Sequence, residues 1–332
     1  MKQLLITGGC GFIGSNFVRL MLETTDVHLV NVDALTYAGN PENLKAVETH
    51  PRYRFIQGRV EDAATIREAV KGCQGVVHFA AESHVDRSIK DSRPFLMTNI
   101  LGTQAVLDAA RSEGVERFVH VSTDEVYGTL GDDDAFTENT PIQPNSPYSA
   151  SKAGADLLVR SYFETYNMPV MTVRPSNNYG PYQYPEKLIP LMVTNLLDGG
   201  RVPVYGDGRN IRDWLYVEDN CRAIVAVLER GRAGESYNIG GQGERRNIEV
   251  VRKVLSIMGL GEERIDFVPD RPGHDYRYAL DISKIRRELG WGPAIDFDTG
   301  LERTVAWYRE HRPWWEPLKL RVGDAQKGAW TK

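Results

Sequence analysis

The sequence predicts an α/β protein whose core is a doubly wound parallel sheet, with a smaller C-terminal α/β lobe for binding substrate. Three observations predict it. Short apolar runs rich in β-branched residues alternate with longer helical patterns through the first half, a glycine-rich turn joins the first run to the first helix, and after Pro175 turn-rich stretches take over among further helices. Such alternation is the signature of βαβ units, which bury a parallel sheet between two helical layers.

Taken in order, residues 4–7 (LLIT) run straight into Gly8-Gly9, so the first strand ends in a tight turn. Residues 28–33 (HLVNVD), 53–57 (YRFIQ), 76–80 (VVHFA), 118–122 (FVHVS) and 170–174 (VMTVR) repeat that short apolar form. Between them, helices are expected at 12–24, 65–70, 94–113 and 147–166. Beyond Pro175, helices are expected near 217–230, 248–258 and 298–309, with turns at Tyr205-Gly206-Asp207-Gly208 and Arg271-Pro272-Gly273-His274. No internal repeat and no linker rich in Gly, Ser and Pro is visible. The expected division is therefore a cofactor domain over 1–175, to which later segments can return, and a substrate lobe mainly over 176–332, packed around a cleft.

Composition excludes several classes. With 40 Lys+Arg against 45 Asp+Glu in 332 residues, the net charge of −5 lacks the basic footprint of a nucleic-acid or anionic-membrane binder. No run approaches the length of a membrane span, and the first apolar run is too short for a signal-peptide core, so a cytoplasmic protein is expected. Cys10, Cys73 and Cys221, odd in number and widely spaced, make neither a disulfide framework nor a paired metal motif, and no metal is expected.

The segment TGGCGFIG at 7–14 places Gly8, Gly11 and Gly14 between the first strand and the first helix. Such glycines allow a tight turn, close approach of a pyrophosphate and close packing of helix on strand, while the helix N-terminus offers N–H groups to the anion. Asp33 stands nineteen residues beyond Gly14 at the end of the second strand, the place of a carboxylate that binds a ribose 2′-OH. No Arg or Lys occurs in 33–39 to receive a 2′-phosphate, so a Rossmann-type site for NAD rather than NADP is expected. Asp62 fits either of two roles, a partner for the adenine amino group or a helix N-cap.

At the other end of the expected cleft, Tyr148 and Lys152 lie one helical turn apart, and Tyr148 alone among 15 tyrosines has Lys four residues later. The Lys152 ammonium and a positive nicotinamide ring nearby are expected to lower the phenol pKa, so that Tyr148 takes a hydroxyl proton while hydride leaves the same carbon. Thr123-Asp124-Glu125 ends the fifth strand candidate, on the side of a parallel sheet that faces ligand. Two adjacent carboxylates there, held in different protonation states by their surroundings, supply an acid and a base for an elimination.

With these residues in view, the chain resembles the extended short-chain dehydrogenase/reductases, and within them the dTDP-glucose 4,6-dehydratase family. The resemblance rests on TGGCGFIG, AAESHVDRS at 80–88, Thr98-Asn99, STDEVYG at 122–128, YSASK at 148–152, RPSNNYGP at 174–181, Arg212-Asp213-Trp214 and RPGHD at 271–275. It implies that Tyr148 is the base for C4 oxidation with Thr123 at O4, that Asp124 protonates the departing C6 hydroxyl, and that Glu125 removes the C5 proton. Around NAD it implies Phe12, Ile13, Asp33, Ala34, Leu35, Thr36, Asp62, Ala80, Ala81, Thr98, Lys152 and Asn178. Around a nucleotide-sugar substrate, dTDP-glucose, it implies Ser83 at the sugar and Asn177, Lys187, Leu188, Pro203, Val204, Tyr205, Asn247, Arg271, His274 and Asp275 about the nucleotide, with Arg212 on the pyrophosphate. A homodimer through the helices at 94–113 and 147–166 is implied as well. Two positions depart from the family: Cys10 stands where Ala is commoner, and 58–62 lacks the Asp that usually follows Gly58.

The alternatives are a UDP-sugar 4-epimerase or a UDP-glucuronate decarboxylase of the same superfamily, which need Tyr148 and Lys152 but not both carboxylates. A catalytically silent dinucleotide-binding protein would need neither pair.

Overall fold

A computed structural model describes residues 1–270 and 274–326. Its elements in chain order begin with β1 (Gln3–Thr7), α1 (Phe12–Thr24), β2 (His28–Asp33), β3 (Tyr53–Gln57), α2 (Ala63–Val70), β4 (Gly75–His78), α3 (Val85–Lys90), α4 (Arg93–Phe95) and α5 (Thr103–Glu113). There follow β5 (Arg117–Val121), α6 (Pro147–Tyr166), β6 (Val170–Pro175), β7 (Asn177–Tyr179), α7 (Leu188–Leu197), β8 (Val202–Tyr205), β9 (Ile211–Tyr216) and α8 (Val217–Arg230). The chain continues through β10 (Ser236–Ile239), β11 (Glu244–Arg246), α9 (Asn247–Met258), β12 (Ile265–Val268), α10 (Ser283–Leu289), α11 (Phe297–Glu310) and α12 (Arg312–Gln326).

Among the described residues the main sheet has seven parallel strands in the order β10-β6-β5-β4-β1-β2-β3. The order reverses direction between β1 and β4, and a doubly wound sheet opens its ligand crevice at such a switch point, beyond the strand carboxyl ends. Period-two alternation divides the core. Leu4 and Ile6 face one layer with Phe17 of α1 and Ile224 of α8, whereas Leu5 faces the other with Ile66 of α2, Leu107 of α5 and Val159 of α6. A third apolar cluster joins α7, α9 and α11 through Met192, Val254 and Leu301, with Trp315 beneath them.

Two features depart from the sequence expectation. The helix expected over 94–113 is interrupted by a π-helical turn at Leu96–Gly102. An i→i+5 turn leaves no hydrophobic period to read, and such turns gather at functional sites. The second lies beyond Pro175, past which the main sheet continues and further small sheets form. Ser236 of β10 pairs with Thr172 of β6, and α8 packs on α1, β5 and β6. Smaller sheets, β11-β9-β7 and β12-β8, were hidden in the turn-rich stretches. No helix of the described residues is long and apolar enough to cross a membrane.

Candidate active site

A cavity lies beyond the carboxyl ends of β1, β2, β4, β5 and β6, and its floor is the glycine turn after β1. Gly8 has φ of +74°, and a Cβ there would stand 2.6 Å from the main-chain nitrogen of Ala80. Gly14 packs so closely on the Gly8 carbonyl that a Cβ would strike it. Gly11 caps α1 without a side chain, which leaves the first-turn N–H groups of Phe12 and Ile13 open to an anion. Asp33 is buried with both oxygens engaged: Oδ2 accepts from Cys10 N at 2.9 Å and Oδ1 from Leu35 N at 2.8 Å. Burial raises its carboxyl and these two N–H groups oppose the rise. Ala34 and Thr36 also line the cavity. Leu35 does not line the cavity: its N–H is turned to Asp33 and its side chain packs on the core.

The adenine end needs a correction. Asp62 is exposed and is the N-cap of α2, accepting from Ala64 N at 3.0 Å and from Thr65 Oγ1 at 2.6 Å. Its neighbour Glu61 lines the cavity instead and accepts from Thr98 Oγ1 at 2.7 Å. The capping role competes for Asp62 and wins. Ala80 and Ala81 form part of the wall. The π-helical turn supplies Asn99, whose side chain binds Glu82 N and O at 2.9 and 3.0 Å and Ser151 Oγ at 2.8 Å. Asn99 and Glu82 entered the sequence reading only inside stretches that carry the resemblance, and Glu61 was given no role, since one polar residue in a loop or helix carries no pattern.

The chemical centre is built where β5 ends. Thr123 caps a short 3-10 turn, Asp124–Tyr127, and its Oγ1 accepts from Glu125 N at 3.3 Å and donates to Asp124 Oδ1 at 3.3 Å. Burial, then Glu125 and Asp213, push the Asp124 carboxyl well above its ordinary value, against Arg212 and the Thr123 hydroxyl. Tyr148 and Lys152 project from the N-terminal half of α6 into the same cavity. Lys152 Nζ donates to Val121 O at 2.8 Å, and burial brings its ammonium down to about 8, with Asp156 acting upward. Within the chain itself, Lys152 is not among the groups that lower the Tyr148 phenol. Burial and then Glu125 raise the phenol, opposed by a hydrogen bond with Thr123. Three acids, Glu125, Asp124 and Asp156, act on that ring, whereas Lys152 is turned to the Val121 carbonyl. Behind Lys152, Asp156 accepts from Arg174 Nε at 2.8 Å and lies 3.4 Å from His120 Nε2. Burial and then Lys152 drive His120 down to about 4, so it is neutral at pH 7.

Toward the substrate end, Ser83, Asn177, Asn178 and Lys187 line the cavity, and Lys187 Nζ donates to Ser83 O at 3.0 Å. Asp124 Oδ2, Asn177 Oδ1 and Asn178 Oδ1 are buried with no hydrogen-bond partner among the described residues. A second polar cluster adjoins. Arg212 of β9 donates to Asp275 O at 2.9 Å and lies 4.4 Å from the Tyr278 ring centroid, while His274 meets Asp270 at 2.6 Å and the Tyr205 ring at 6.0 Å. Asp275 accepts from Asn145 at 2.7 Å, and Asn210 joins the Asp275 carbonyl at 3.2 Å to Asn247 N at 2.9 Å. Arg212 acts to lower the Asp124 carboxyl, so the two groups of residues meet at Asp124. Leu188 and Val204 do not belong to either group: both pack with the core of α7 and α9, while Pro203 shares with Tyr205 the other face of β8. Arg271 lies outside the described residues.

With this geometry in hand, the comparisons are specific. The family model described as GDP-mannose 4,6 dehydratase matches residues 5–304. The chain is 54% identical over 319 residues to the dTDP-glucose 4,6-dehydratase of Streptomyces griseus, across 95% of this chain and 97% of that one. Its fold matches DesIV, the dTDP-glucose 4,6-dehydratase of Streptomyces venezuelae solved with NAD bound, at a TM-score of 0.93 and 53% identity, across 95% of this chain and 99% of that one. The UDP-glucuronic acid 4-epimerase of Bacillus cereus is more distant, at 28% identity and a TM-score of 0.88 across 93% and 99% of the two chains. The chain belongs to the GDP-mannose 4,6-dehydratase family, on the branch of the dTDP-glucose 4,6-dehydratases.

Proposed function

We propose that the protein is a lyase that converts dTDP-glucose into dTDP-4-keto-6-deoxyglucose and water with a resident NAD. One observation carries the reading: the Thr123-Asp124-Glu125 turn and Tyr148 face the same cavity as the glycine cradle. A redox base alone suffices for a 4-epimerase, and the carboxylate pair suits an elimination.

The residues fit NAD. Open N–H groups at α1 and the side-chain-free Gly8 and Gly14 suit a pyrophosphate, and Asp33 suits a ribose hydroxyl. NAD, when bound there, supplies the acceptor for hydride from C4 and its donor to C6. The chain's own residues manage protons. Tyr148 takes the proton of the C4 hydroxyl, steadied by Thr123. The C4 ketone acidifies C5–H, which Glu125 removes. Asp124, kept protonated by its burial, hands its proton to the C6 hydroxyl, which departs as water. Glu125 then returns a proton to C5.

The division of labour follows the chain: 1–175, with β10 and α8 returning to it, holds NAD, and 176–332 mainly holds the nucleotide, through Arg212, Tyr205, Asn247, His274 and Asp275. The working form is a homodimer. Leu96, Met97, Leu101 and Leu157 support it, because they leave apolar side chains exposed on the helices around 94–113 and 147–166. Three buried free cysteines support a reducing compartment, the cytoplasm. The test is incubation with dTDP-, UDP-, GDP- and CDP-glucose, followed by alkali. Absorbance of a 4-keto sugar from the dTDP substrate is expected, and its absence there, or stronger formation from another nucleotide, overturns the assignment.

A further inference from the structure

Balancing the protons of this dehydration, on whose reading the inference rests, leaves two side chains altered. The C4 hydroxyl proton ends on Tyr148 and is not returned, because the product is a ketone at C4. The proton that leaves with the C6 hydroxyl comes from Asp124. Glu125 takes one proton from C5 and gives one back. Substrate minus water equals product, so each turnover leaves Tyr148 one proton richer and Asp124 one poorer. Before the next turnover a proton must pass from the phenol to the carboxylate.

Thr123 stands between those two groups. Its Oγ1 donates to Asp124 Oδ1 at 3.3 Å and accepts from Glu125 N at 3.3 Å, and it lines the same cavity as Tyr148, whose phenol it acts to lower. A hydroxyl has one proton and two lone pairs. The Glu125 N–H occupies one lone pair, which leaves one proton and one lone pair for the two side chains. When Tyr148 is ionised, the Thr123 proton turns to the phenolate. When Tyr148 is protonated and Asp124 ionised, the phenol donates to Thr123 and Thr123 donates to the carboxylate. We infer that Thr123 relays the resetting proton: the Tyr148 O–H bond breaks as a new Thr123 O–H bond forms, and the original Thr123 proton passes to Asp124 Oδ1. A phenolate and a carboxylic acid are restored with no change in total charge.

Two features favour this internal route over exchange with bulk water. Tyr148, Thr123 and Asp124 are 8%, 8% and 2% exposed. Thr123 is also fixed by its capping bond to Glu125 N and by the stiffness of a β-branched side chain, so its hydroxyl does not wander from the line.

The test compares Thr123→Val and Thr123→Ser with wild type as holoenzymes, rapidly mixed with dTDP-glucose and followed as 4-keto product. Thr123→Val should slow the first turnover, because Thr123 also steadies Tyr148, and should slow each later turnover by a further tenfold or more, roughly the loss expected when a positioned proton carrier is removed. Its slow phase should accelerate with the concentration of imidazole or formate buffer, which carries the proton instead. Thr123→Ser and wild type should show neither the break nor the buffer dependence. Thr123→Ala gives the same reading if Val is not accommodated. Equal rates in first and later turnovers without the hydroxyl, unmoved by buffer, overturn the relay, as does buffer dependence in wild type. Wild type that makes no 4-keto product from dTDP-glucose overturns the functional reading instead.

Discussion

The ammonium of Lys152 donates to the carbonyl of Val121 at 2.8 Å, tying the helix that carries Tyr148 to the strand that leads into Thr123 and Asp124. One lysine therefore holds Tyr148 in register with Asp124 and Glu125. Removing it with Lys152→Met should lower kcat by on the order of 10²-fold or more, because a misplaced base is a slow one. The charge has its own signature. Burial brings Lys152 to about 8, so the ammonium is present below that pH and lost above it. The kcat profile of wild type should fall as pH rises through about 8, and Lys152→Met should lack that limb; an identical limb in both would assign it elsewhere.

Asp124 and Glu125 are adjacent, and their roles separate by leaving group. Asp124→Asn should cripple loss of water but recover much of its rate with a 6-fluoro substrate, since fluoride needs little protonation. Glu125→Gln should be slow with both, because the C5 proton must be removed in either case. Four rates from rapid mixing give a double ratio that is independent of either loss alone. Rescue of Glu125→Gln but not Asp124→Asn would exchange the two assignments.

Glu61, not Asp62, faces the cavity. Glu61→Ala should weaken NAD retention, measured by titrating stripped protein, whereas Asp62→Ala should lower the melting temperature by freeing the α2 N-terminus and leave NAD affinity unchanged. The opposite pattern would return Asp62 to the adenine pocket.

The parts legible in the sequence were those with a period or a spacing. The strands leading into Gly8 and Asp33 read as short apolar runs spaced between helical patterns, and the Tyr148–Lys152 pair follows from one helical turn. The two roles open to Asp62 were not separable, because a cap and a ligand look alike until the helix start is known to a single residue. Asn99 stood in a quoted stretch, but its bonds to Glu82 and Ser151 depend on the π-helical turn, and the opposing acids around Tyr148 come from separate elements that only folding brings together. Leu188 and Val204 came from resemblance, and the packing of α7 and β8 turns both toward the core.

His120 gives a stability prediction. Its pKa is 6.5 in the ordinary state and about 4 when buried, so between those values the unfolded chain binds a proton that the folded protein refuses. Stability should fall as pH drops through that window, by ~1.4 kcal/mol per pH unit from this group. Urea unfolding at pH 6.5 and pH 5 should show a loss about 2 kcal/mol larger in wild type than in His120→Asn. Equal losses would mean that His120 is protonated in the fold.

The most direct test of the central claim follows the hydrogen at C4. dTDP-glucose carrying deuterium at C4 is converted by the holoenzyme without added cofactor, and the product is read by mass spectrometry and proton NMR. Deuterium at C6 of a 4-keto-6-deoxy product, with no free reduced cofactor accumulating, is the predicted result. Deuterium returned to C4 of an epimerised sugar, or released into free reduced cofactor, would contradict it.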